Sequence, residues 1–312
     1  MHRFSKVLVT GGAGFIGSHL VSRLLNDGLD VVALDNLFTG KLENIKTHLD
    51  NSHLHFVKGD MRTRSVLNRS VTQVDCVFHL AAIASVPFSV KDPLLTNDVN
   101  VTGTLNLLKA CSDSGAKRFV FASSCAVYGE PHCLPLDEKH STLPISPMAV
   151  SKLAAEHYCR IFHETYGLET VILRLFNVYG IRQSLGDEGA VIAKFIERLS
   201  NKAPLVIYGD GSQTRDFVHV NDVVEAFVLA SQKEKAAGDV FNVGSGTSTT
   251  VNDLVKVLQN ATGRHLEVKY EKPRLGDIKH SFANIEKAKK TLGYKPKVSL
   301  NLGLKTLLKK SC

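Results

Sequence analysis

The stretch Thr10-Gly11-Gly12-Ala13-Gly14-Phe15-Ile16-Gly17-Ser18-His19 decides the fold of this 312-residue chain. It follows a short apolar run, Lys6–Thr10, which is typical of a buried β-strand. It opens the segment Phe15–Asn26, whose apolar residues recur at the helical period. A strand, a glycine-rich turn and a helix in this order are typical of the first unit of a doubly wound parallel sheet.

Three glycines of this turn, Gly11, Gly14 and Gly17, are spaced for phosphate binding. The first allows a tight turn, the second lets the backbone approach a pyrophosphate at the helix N-terminus, and the third allows close helix–strand packing. Asp35 ends the next apolar run about 20 residues later, as the dinucleotide fingerprint requires. Its carboxylate can accept ribose hydrogen bonds and repels a 2′-phosphate. Because Asn36 rather than an arginine follows Asp35, the sequence predicts NAD rather than NADP.

Strand-like and helix-like segments alternate through the first half of the chain, which predicts an α/β fold with a doubly wound parallel (Rossmann) sheet. The expected strands are Lys6–Thr10, Asp30–Asp35, His53–Lys58, Asp75–Leu80, Arg118–Ser123 and Thr170–Leu175. The expected helices are Phe15–Asn26, Thr96–Ser112, Ala149–Tyr166, Ala190–Ser200 and Val251–Thr262. We expect residues 1–175 to form an NAD-binding domain to which 221–243 return, and 176–220 with 244–312 to form a smaller C-terminal substrate-binding lobe.

Composition excludes several other classes of protein. Hydrophobic residues make up 44% of the chain and charged residues 22%, and no apolar run is long enough to span a membrane. Six scattered cysteines without a Cys-x-x-Cys pair predict neither a metal site nor a disulfide framework. The net charge is +8, but the only basic cluster is Lys305–Lys310, so we expect no nucleic-acid partner. The N-terminus lacks a signal-peptide pattern, which favours a cytoplasmic protein.

Motifs beyond the first turn point to one family. They are Phe78-His79-Leu80-Ala81-Ala82, Asn97–Thr104, Val127-Tyr128-Gly129, Arg174–Gly180, Tyr208–Val220 and Arg274–Asp277. Together with the glycine turn they resemble the extended short-chain dehydrogenase/reductase family, above all its UDP-glucose 4-epimerases and nucleotide-sugar dehydratases. The resemblance covers nearly the whole chain. It implies a homodimer assembled through a four-helix bundle, to which Thr96–Ser112 and Ala149–Tyr166 contribute.

The resemblance also implies two sets of binding residues. NAD would be held by Gly11, Gly14, Phe15, Ile16, Gly17, Asp35, Asn36, Asp60, Met61, Leu80, Ala81, Ala82, Asn100, Lys152 and Phe176. A UDP-sugar would be held by Ser124, Asn177, Tyr208, Arg215, Arg274 and Asp277. We expect Arg215 and Arg274 to clamp the diphosphate, because a planar guanidinium binds its oxygens bidentately.

The reaction centre departs from the family pattern at one residue. In the resembled enzymes a serine, a tyrosine and a lysine move the proton of the sugar 4-hydroxyl, with the last two in a Tyr-x-x-x-Lys motif. Here Ser124 and Lys152 match the serine and the lysine, but Met148 occupies the tyrosine position. A thioether has no proton to give and little basicity. Because positioned proton transfer contributes about 10²–10⁴ in rate, we expect a slow enzyme unless another group replaces the phenol.

Cys125 is one candidate for that replacement. It occupies the first of two places where 4,6-dehydratases carry an Asp-Glu pair, and a thiol beside Lys152 and a cationic nicotinamide could have a lowered pKa. The alternative is a buried cysteine that only fills space. Tyr128 is a second phenol nearby in sequence, although in the family its role is mainly structural.

Three functions therefore stay open. The first is NAD-dependent modification of a UDP-sugar of the UDP-glucose or UDP-GlcNAc type through a transient 4-keto intermediate, as in 4-epimerases. The second is a UDP-GlcNAc dehydratase that uses Cys125. It would be of the 4,6 type, some of whose larger members also carry methionine here, or of the 5,6-ene-forming type of tunicamycin biosynthesis. The third is a catalytically weak NAD- and UDP-sugar-binding protein.

Overall fold

The computed structural model describes residues 3–184, 191–273 and 278–311. The strands in these parts are β1 Lys6–Thr10, β2 Asp30–Asp35, β3 Leu54–Lys58, β4 Cys76–His79, β5 Arg118–Ser124, β6 Glu169–Leu175, β7 Asn177–Tyr179, β8 Leu205–Tyr208, β9 Thr214–Arg215, β10 Phe217–His219, β11 Val240–Val243, β12 Thr249–Thr250 and β13 Val268–Glu271. The α-helices are α1 Phe15–Asn26, α2 Arg64–Ser70, α3 Val86–Lys91, α4 Pro93–Asn97, α5 Gly103–Ser114, α6 Pro147–Tyr166, α7 Val191–Ser200, α8 Val220–Gln232, α9 Val251–Thr262, α10 Glu286–Leu292 and α11 Leu300–Ser311.

Within the described residues, seven strands form a parallel sheet in the order β11-β6-β5-β4-β1-β2-β3. The order reverses between β1 and β4, because the chain continues outward from β1 to β2 and β3 and then returns to β4 on the other side. In register, Thr10 at the end of β1 lies beside Leu34 of β2 and His79 of β4. A doubly wound sheet binds its ligand at such a reversal, beyond the carboxyl ends of the strands. The predicted fold class is confirmed.

Side chains alternate between the two faces of each strand, so each face has its own apolar core. In β1, Val7 and Val9 pack into one core, together with α1 and α8, whereas Leu8 packs into the other. The second core includes Leu107 of α5 and Phe162 of α6. Helices therefore cover both faces of the sheet, which explains why its strands read as nearly continuous apolar runs.

A third apolar cluster lies in the C-terminal half of the chain. It contains Ile192 and Phe195 of α7, Leu254 of α9, Leu304 of α11 and Ile207 of β8, all of them buried. The short parallel pair β8 and β13 belongs to the same region. Between α8 and α9 the chain returns to the main sheet, where β11 pairs in parallel with β6.

One predicted helix differs in its internal structure. Instead of a single helix over Thr96–Ser112, the chain forms α4, a π-helical turn at Asp98–Thr102, and α5. Asn100 lies in the π turn, where its amide nitrogen donates to Ile83 O at 2.9 Å and to Ser151 Oγ at 2.9 Å, while its Oδ1 accepts from Ile83 N at 2.8 Å. These tertiary hydrogen bonds satisfy the buried amide, so local helix propensity alone could not predict the turn. No helix in the described ranges is long and apolar enough to cross a membrane.

Candidate active site

A cavity of about 450 Å³ opens at the carboxyl ends of β1, β2, β4 and β5, where the strand order reverses. Every residue that was predicted to hold NAD, apart from Asn100, lines this cavity. Among the predicted catalytic residues Ser124, Met148 and Lys152 line it as well. The cavity therefore runs from the glycine turn at one end to the serine, methionine and lysine at the other.

The glycine turn has no room for a Cβ atom at Gly11 or Gly17. Gly11 has a φ of +69°, and a Cβ there would lie 2.8 Å from Ala81 N on β4's following loop. A Cβ on Gly17 would collide with the carbonyl oxygen of Gly11. Gly14 precedes α1, and no side chain caps the helix there. The N-terminal N–H groups of α1 thus face a cradle with room for a pyrophosphate, which fits the predicted dinucleotide.

Asp35 accepts two backbone hydrogen bonds that were not predicted from the sequence. Its Oδ2 accepts from Ala13 N at 3.0 Å, and its Oδ1 accepts from Leu37 N at 2.8 Å. Burial raises the pKa of Asp35, while these backbone donors oppose that shift. The carboxylate therefore ties the end of β2 to the glycine turn. Since each oxygen has a second lone pair, Asp35 can still accept hydrogen bonds from a ribose.

An ion-pair cluster beside Asp35 borders the same end of the cavity. Arg62 donates to Asp60 Oδ2 at 2.8 Å and to Asp98 Oδ2 at 2.7 Å. Asn36 donates to Asp60 at 3.1 Å. Hydrogen bonds from Arg62 lower the pKa of Asp60 to about 2. Arg62 was not among the predicted site residues, although its position two residues after Asp60 places it at the same sheet edge.

We call the end of the cavity beside Asp35 and Asp60 the adenosine end, and the end formed by Ser124, Met148 and Lys152 the reaction end. At the reaction end, Lys152 lies one helical turn after Met148 on α6. Both residues are buried, at 5% exposure each. Lys152 Nζ donates to Ala122 O at 2.8 Å and lies 4.9 Å from the centre of the Phe121 ring. Burial lowers the pKa of Lys152 to about 8. Ser124 Oγ accepts from Ala126 N at 3.2 Å, which fixes it at the end of β5.

Beneath this end lies a buried ion pair that sequence analysis also missed. Arg174 of β6 donates from Nη2 to Glu156 Oε2 at 2.7 Å and from Nε to Oε1 at 3.0 Å. Ser123 Oγ also donates to Glu156. The pair joins β5, β6 and α6, the elements that carry Ser124 and Lys152. The spacing of Glu156 four residues after Lys152 places both on one face of α6, but nothing in the sequence identifies Arg174 as the partner.

Of the two alternatives for Cys125, the thiol of lowered pKa disagrees with the structure. Burial raises the pKa of this thiol to about 12, despite the positive charge of Arg215 nearby. Cys125 does not line the cavity and packs instead against the core on one face of the sheet. Because desolvation disfavours a thiolate, the packing interpretation of Cys125 fits the structure.

Tyr128 does not reach the cavity either. Its ring is 1% exposed, and its hydroxyl donates to Asn242 Oδ1 at 2.7 Å. The guanidinium of Arg174 lies over the ring, 4.7 Å from its centre. Burial raises the pKa of Tyr128 to about 12. This phenol therefore links α6's ion pair to β11.

Of the predicted substrate residues that the structure describes, Ser124 lines the cavity, whereas Asn177, Tyr208 and Arg215 do not. Asn177 starts β7, beside Phe217 of β10. Arg215 is partly buried in β9 and donates to Thr214 O at 2.9 Å; its charge acts on Cys125, which follows Ser124. Tyr208 ends β8, where its carbonyl accepts from Gln213. Arg274 and Asp277 lie outside the described residues.

Metal binding has no support in the described part of the chain. There, no group of three or more His, Cys, Asp or Glu side chains is arranged to hold a metal ion.

Comparison with known proteins gives a consistent assignment. The family model "NAD dependent epimerase/dehydratase family" matches residues 7–244. A putative UDP-glucose 4-epimerase of Methanocaldococcus jannaschii is 42% identical over 305 residues, 97% of either chain. The structure of a UDP-N-acetylglucosamine 4-epimerase from Methanobrevibacter ruminantium has a TM-score of 0.94 and 41% identity, with 99% of this chain and 98% of that one covered.

A third relative is a complex with the predicted cofactor. The UDP-glucose 4-epimerase of Thermus thermophilus, solved with NAD, has a TM-score of 0.89 and 40% identity over 98% of both chains. The glycine cradle and the Asp35 carboxylate of the present chain fit the same dinucleotide. The cofactor is therefore NAD, and the chain belongs to the NAD dependent epimerase/dehydratase family.

Proposed function

We propose that this protein epimerises a UDP-sugar of the UDP-glucose or UDP-GlcNAc type at carbon 4, through a transient 4-keto sugar. One observation carries the proposal: a single cavity joins the glycine turn to Ser124, Met148 and Lys152. It is supported by relatives named UDP-glucose 4-epimerase and UDP-N-acetylglucosamine 4-epimerase, which match this chain over nearly their whole length.

The chain's own residues divide the task. The N-terminus of α1 would hold the NAD pyrophosphate, Asp35 the adenosine ribose and Lys152 the nicotinamide ribose, while Phe176 would pack against the nicotinamide. NAD, when bound, supplies the acceptor for the hydride of the sugar carbon. Ser124, at the end of β5, would donate a hydrogen bond to the reacting oxygen and hold it in place.

The diphosphate of the substrate needs charge-assisted donors beyond this cavity. We assign this role to Arg215 and Arg274, with Asn177 as a further donor. Tyr208 and Asp277 complete the uridine side. The position of Arg215, two residues before Phe217, which pairs with Asn177 of β7, supports this assignment. The substrate-binding lobe, 176–220 and 244–312, would thus close over the sheet domain.

A dehydratase is the second candidate, and Met148 is the observation that favours it. Without the phenol, the proton returns less efficiently to the oxygen on carbon 4. The 4-keto intermediate would then persist longer, so that elimination of water could compete with its reduction. The raised pKa of Cys125 removes the thiol that such an elimination was expected to use. A weak NAD- and UDP-sugar-binding protein is the third candidate, since loss of proton transfer leaves the binding residues intact.

We further propose a cytoplasmic homodimer. Val150 and Ile161 lie 11 residues apart on α6, three helical turns, so they share one face. Their exposures of 51% and 41% are high for apolar side chains in a 20-residue helix. Leu94 of the adjacent α4 is 82% exposed. A second α4–α6 pair would cover this surface.

One incubation separates the three functions. The purified protein is loaded with NAD and incubated separately with UDP-glucose, UDP-GlcNAc and UDP-glucuronate, and products are followed by mass spectrometry and proton NMR. Epimerisation leaves the mass unchanged and alters the coupling of the proton at carbon 4. Dehydration lowers the mass by one water. If the UDP-sugars bind but none changes, the binding-protein interpretation replaces the enzyme.

A further inference from the structure

Lys152 lies at a reaction end that holds no other ionisable side chain among the described residues. The cavity residues at this end are Ala122, Ser123, Ser124, Met148, Lys152, Leu175, Phe176 and Val178. The other titratable side chains of the lining, those of Asp35, Asp60 and Arg62, are at the adenosine end. A proton that leaves a sugar hydroxyl here can therefore reach one amine or the weakly acidic hydroxyls of Ser123 and Ser124.

Phenols and thiols nearby are held away from this end. Tyr128 donates its hydroxyl to Asn242 inside the protein. Tyr179 is 1% exposed, and its hydroxyl lies against Gly303 of α11. Cys125 packs outside the cavity lining. Ser123 is also engaged, because it donates to the carboxylate of Glu156.

We propose that Lys152 itself carries the proton that the missing tyrosine would have taken, an inference that rests on the proposed function. The sugar O–H bond breaks, its proton forms a new N–H bond on Nζ, and the ammonium results. The electron pair of the O–H bond becomes the second bond of the C=O group as the hydride leaves the carbon. In the return direction the ammonium gives the proton back to the carbonyl oxygen. NAD, supplied by the proposed function, would accept the hydride, and with it atoms and charge balance.

Burial of Lys152 destabilises its charged form. Its Nζ donates to Ala122 O and lies over the Phe121 ring, two contacts that favour the ammonium but do not offset the burial. Burial lowers its pKa to about 8, against opposing contributions from Glu156 and Cys159 on the same helix. From β4 it faces His79, whose own pKa burial lowers to about 3, so that this imidazole is neutral. Glu156 is neutralised in turn by Arg174.

A neutral amine acts as a base, which sets the sign of the pH dependence. Below the Lys152 pKa the ammonium cannot accept a proton, so the rate of sugar oxidation should rise as pH increases through about 8 and become constant above it. A lysine with the ordinary pKa of about 10.4 would still show a rising rate at pH 10.

The first test measures Lys152 directly, without cofactor or substrate. Lysine labelled with ¹³C at the ε carbon is incorporated into the protein, and the Lys152 signal is assigned by its loss in Lys152→Met. We expect this signal to titrate near pH 8, well below those of the exposed lysines. Titration of the Lys152 signal together with those of the exposed lysines would overturn the proposal.

The second test is chemical rescue. Lys152→Ala is loaded with NAD, its NAD content is checked, and absorbance at 340 nm is followed after addition of UDP-sugar with methylamine, ethylamine or 2-fluoroethylamine. We expect little reduction without amine, and rescue rates that increase with the basicity of the amine. In the Met148→Tyr, Lys152→Ala double variant the rescue should not depend on basicity, because the phenol takes the proton.

Outcomes of these tests separate the two proposals. Rescue that is independent of amine basicity in Lys152→Ala would mean that the amine only fills space, and would overturn the role of Lys152 alone. Cys125→Ser should leave the rate and its pH dependence unchanged; loss of turnover in that variant would assign the proton to the thiol instead. If wild-type protein transforms no UDP-sugar at any pH, the proposed function fails and this inference with it.

Discussion

Arg174 and Glu156 form a buried bidentate ion pair directly beneath the strand end that carries Ser124. The side chains are 7% and 5% exposed, so neither charge has water as a substitute partner. Removal of one member would leave the other buried and unpaired, which costs about 3–5 kcal/mol. The pair therefore fixes α6 to β6 at the height of the reaction end.

We predict that Glu156→Gln lowers the free energy of unfolding by about 3 kcal/mol or more, since the Arg174 charge loses its counterion. Urea unfolding measures the change. Asp113→Asn is the matched control: it breaks the Lys109–Asp113 ion pair, whose side chains are 59% and 55% exposed, and should cost less than about 1 kcal/mol. Equal losses of unfolding free energy in the two variants would contradict the prediction that the buried Glu156–Arg174 pair contributes more to stability than an exposed pair.

The sheet could be predicted from the sequence because the signals for its strands are local. The six predicted strands agree with β1 to β6 within one residue at each end, since short apolar runs between turn residues identify buried strands. The glycine spacing likewise identified the cradle around Gly11 and Gly17, because only glycine fits such close backbone approaches.

The features that could not be predicted depend on tertiary contacts. The π turn at Asn100 is held by Ile83 and Ser151, which are distant in sequence. Arg174 of β6 contacts Glu156 only when β5, β6 and α6 are packed together. For Cys125 two alternatives stayed open, a thiol of lowered pKa and a buried cysteine, because the charged neighbours could be guessed from the sequence whereas the degree of burial that raises the pKa could not.

Asp35 should decide the choice of cofactor. We predict that the wild-type protein binds NAD more tightly than NADP, because the buried carboxylate repels a 2′-phosphate. Asp35→Ala should weaken NAD binding, and Asp35→Asn, which keeps the shape, should reduce the preference for NAD. Calorimetry with both cofactors measures this, with Asp30→Asn at the exposed start of β2 as the control. Comparable affinities in the wild-type protein would contradict the prediction.

Arg215 and Arg274 should bind the substrate diphosphate. Each substitution by Ala should weaken UDP binding by about 1.5–3 kcal/mol, the range for hydrogen bonds to charged groups, and leave NAD affinity unchanged. Calorimetric titration with UDP, which reports on the diphosphate without the sugar, is the measurement. Arg264→Ala removes an exposed arginine after α9 and should have no effect. If neither Arg215 nor Arg274 alters UDP affinity, the substrate lobe has been assigned to the wrong residues.

The exposed face of α6 should form the dimer. Ile161→Glu places a charge where the proposed partner helix packs, so we expect light scattering to report half the wild-type mass. Leu302→Glu is the control, because Leu302 is 55% exposed on α11, at the opposite part of the chain. A wild-type protein that is already monomeric, or two variants with equal behaviour, would exclude this interface.

Restoration of a tyrosine at position 148 tests the reaction centre itself. Met148 is buried, lines the cavity and lies one turn before Lys152, so a phenol there would reach the same end of the cavity. We predict that Met148→Tyr raises the rate of sugar oxidation, followed as absorbance at 340 nm, by at least tenfold; the range for positioned proton transfer is about 10²–10⁴. Met148→Phe is the matched control, because it adds the ring without the hydroxyl. Equal rates for the two variants would assign any gain to packing of the ring, and a rate below wild type in both would show that Met148 has a role that a phenol cannot fill.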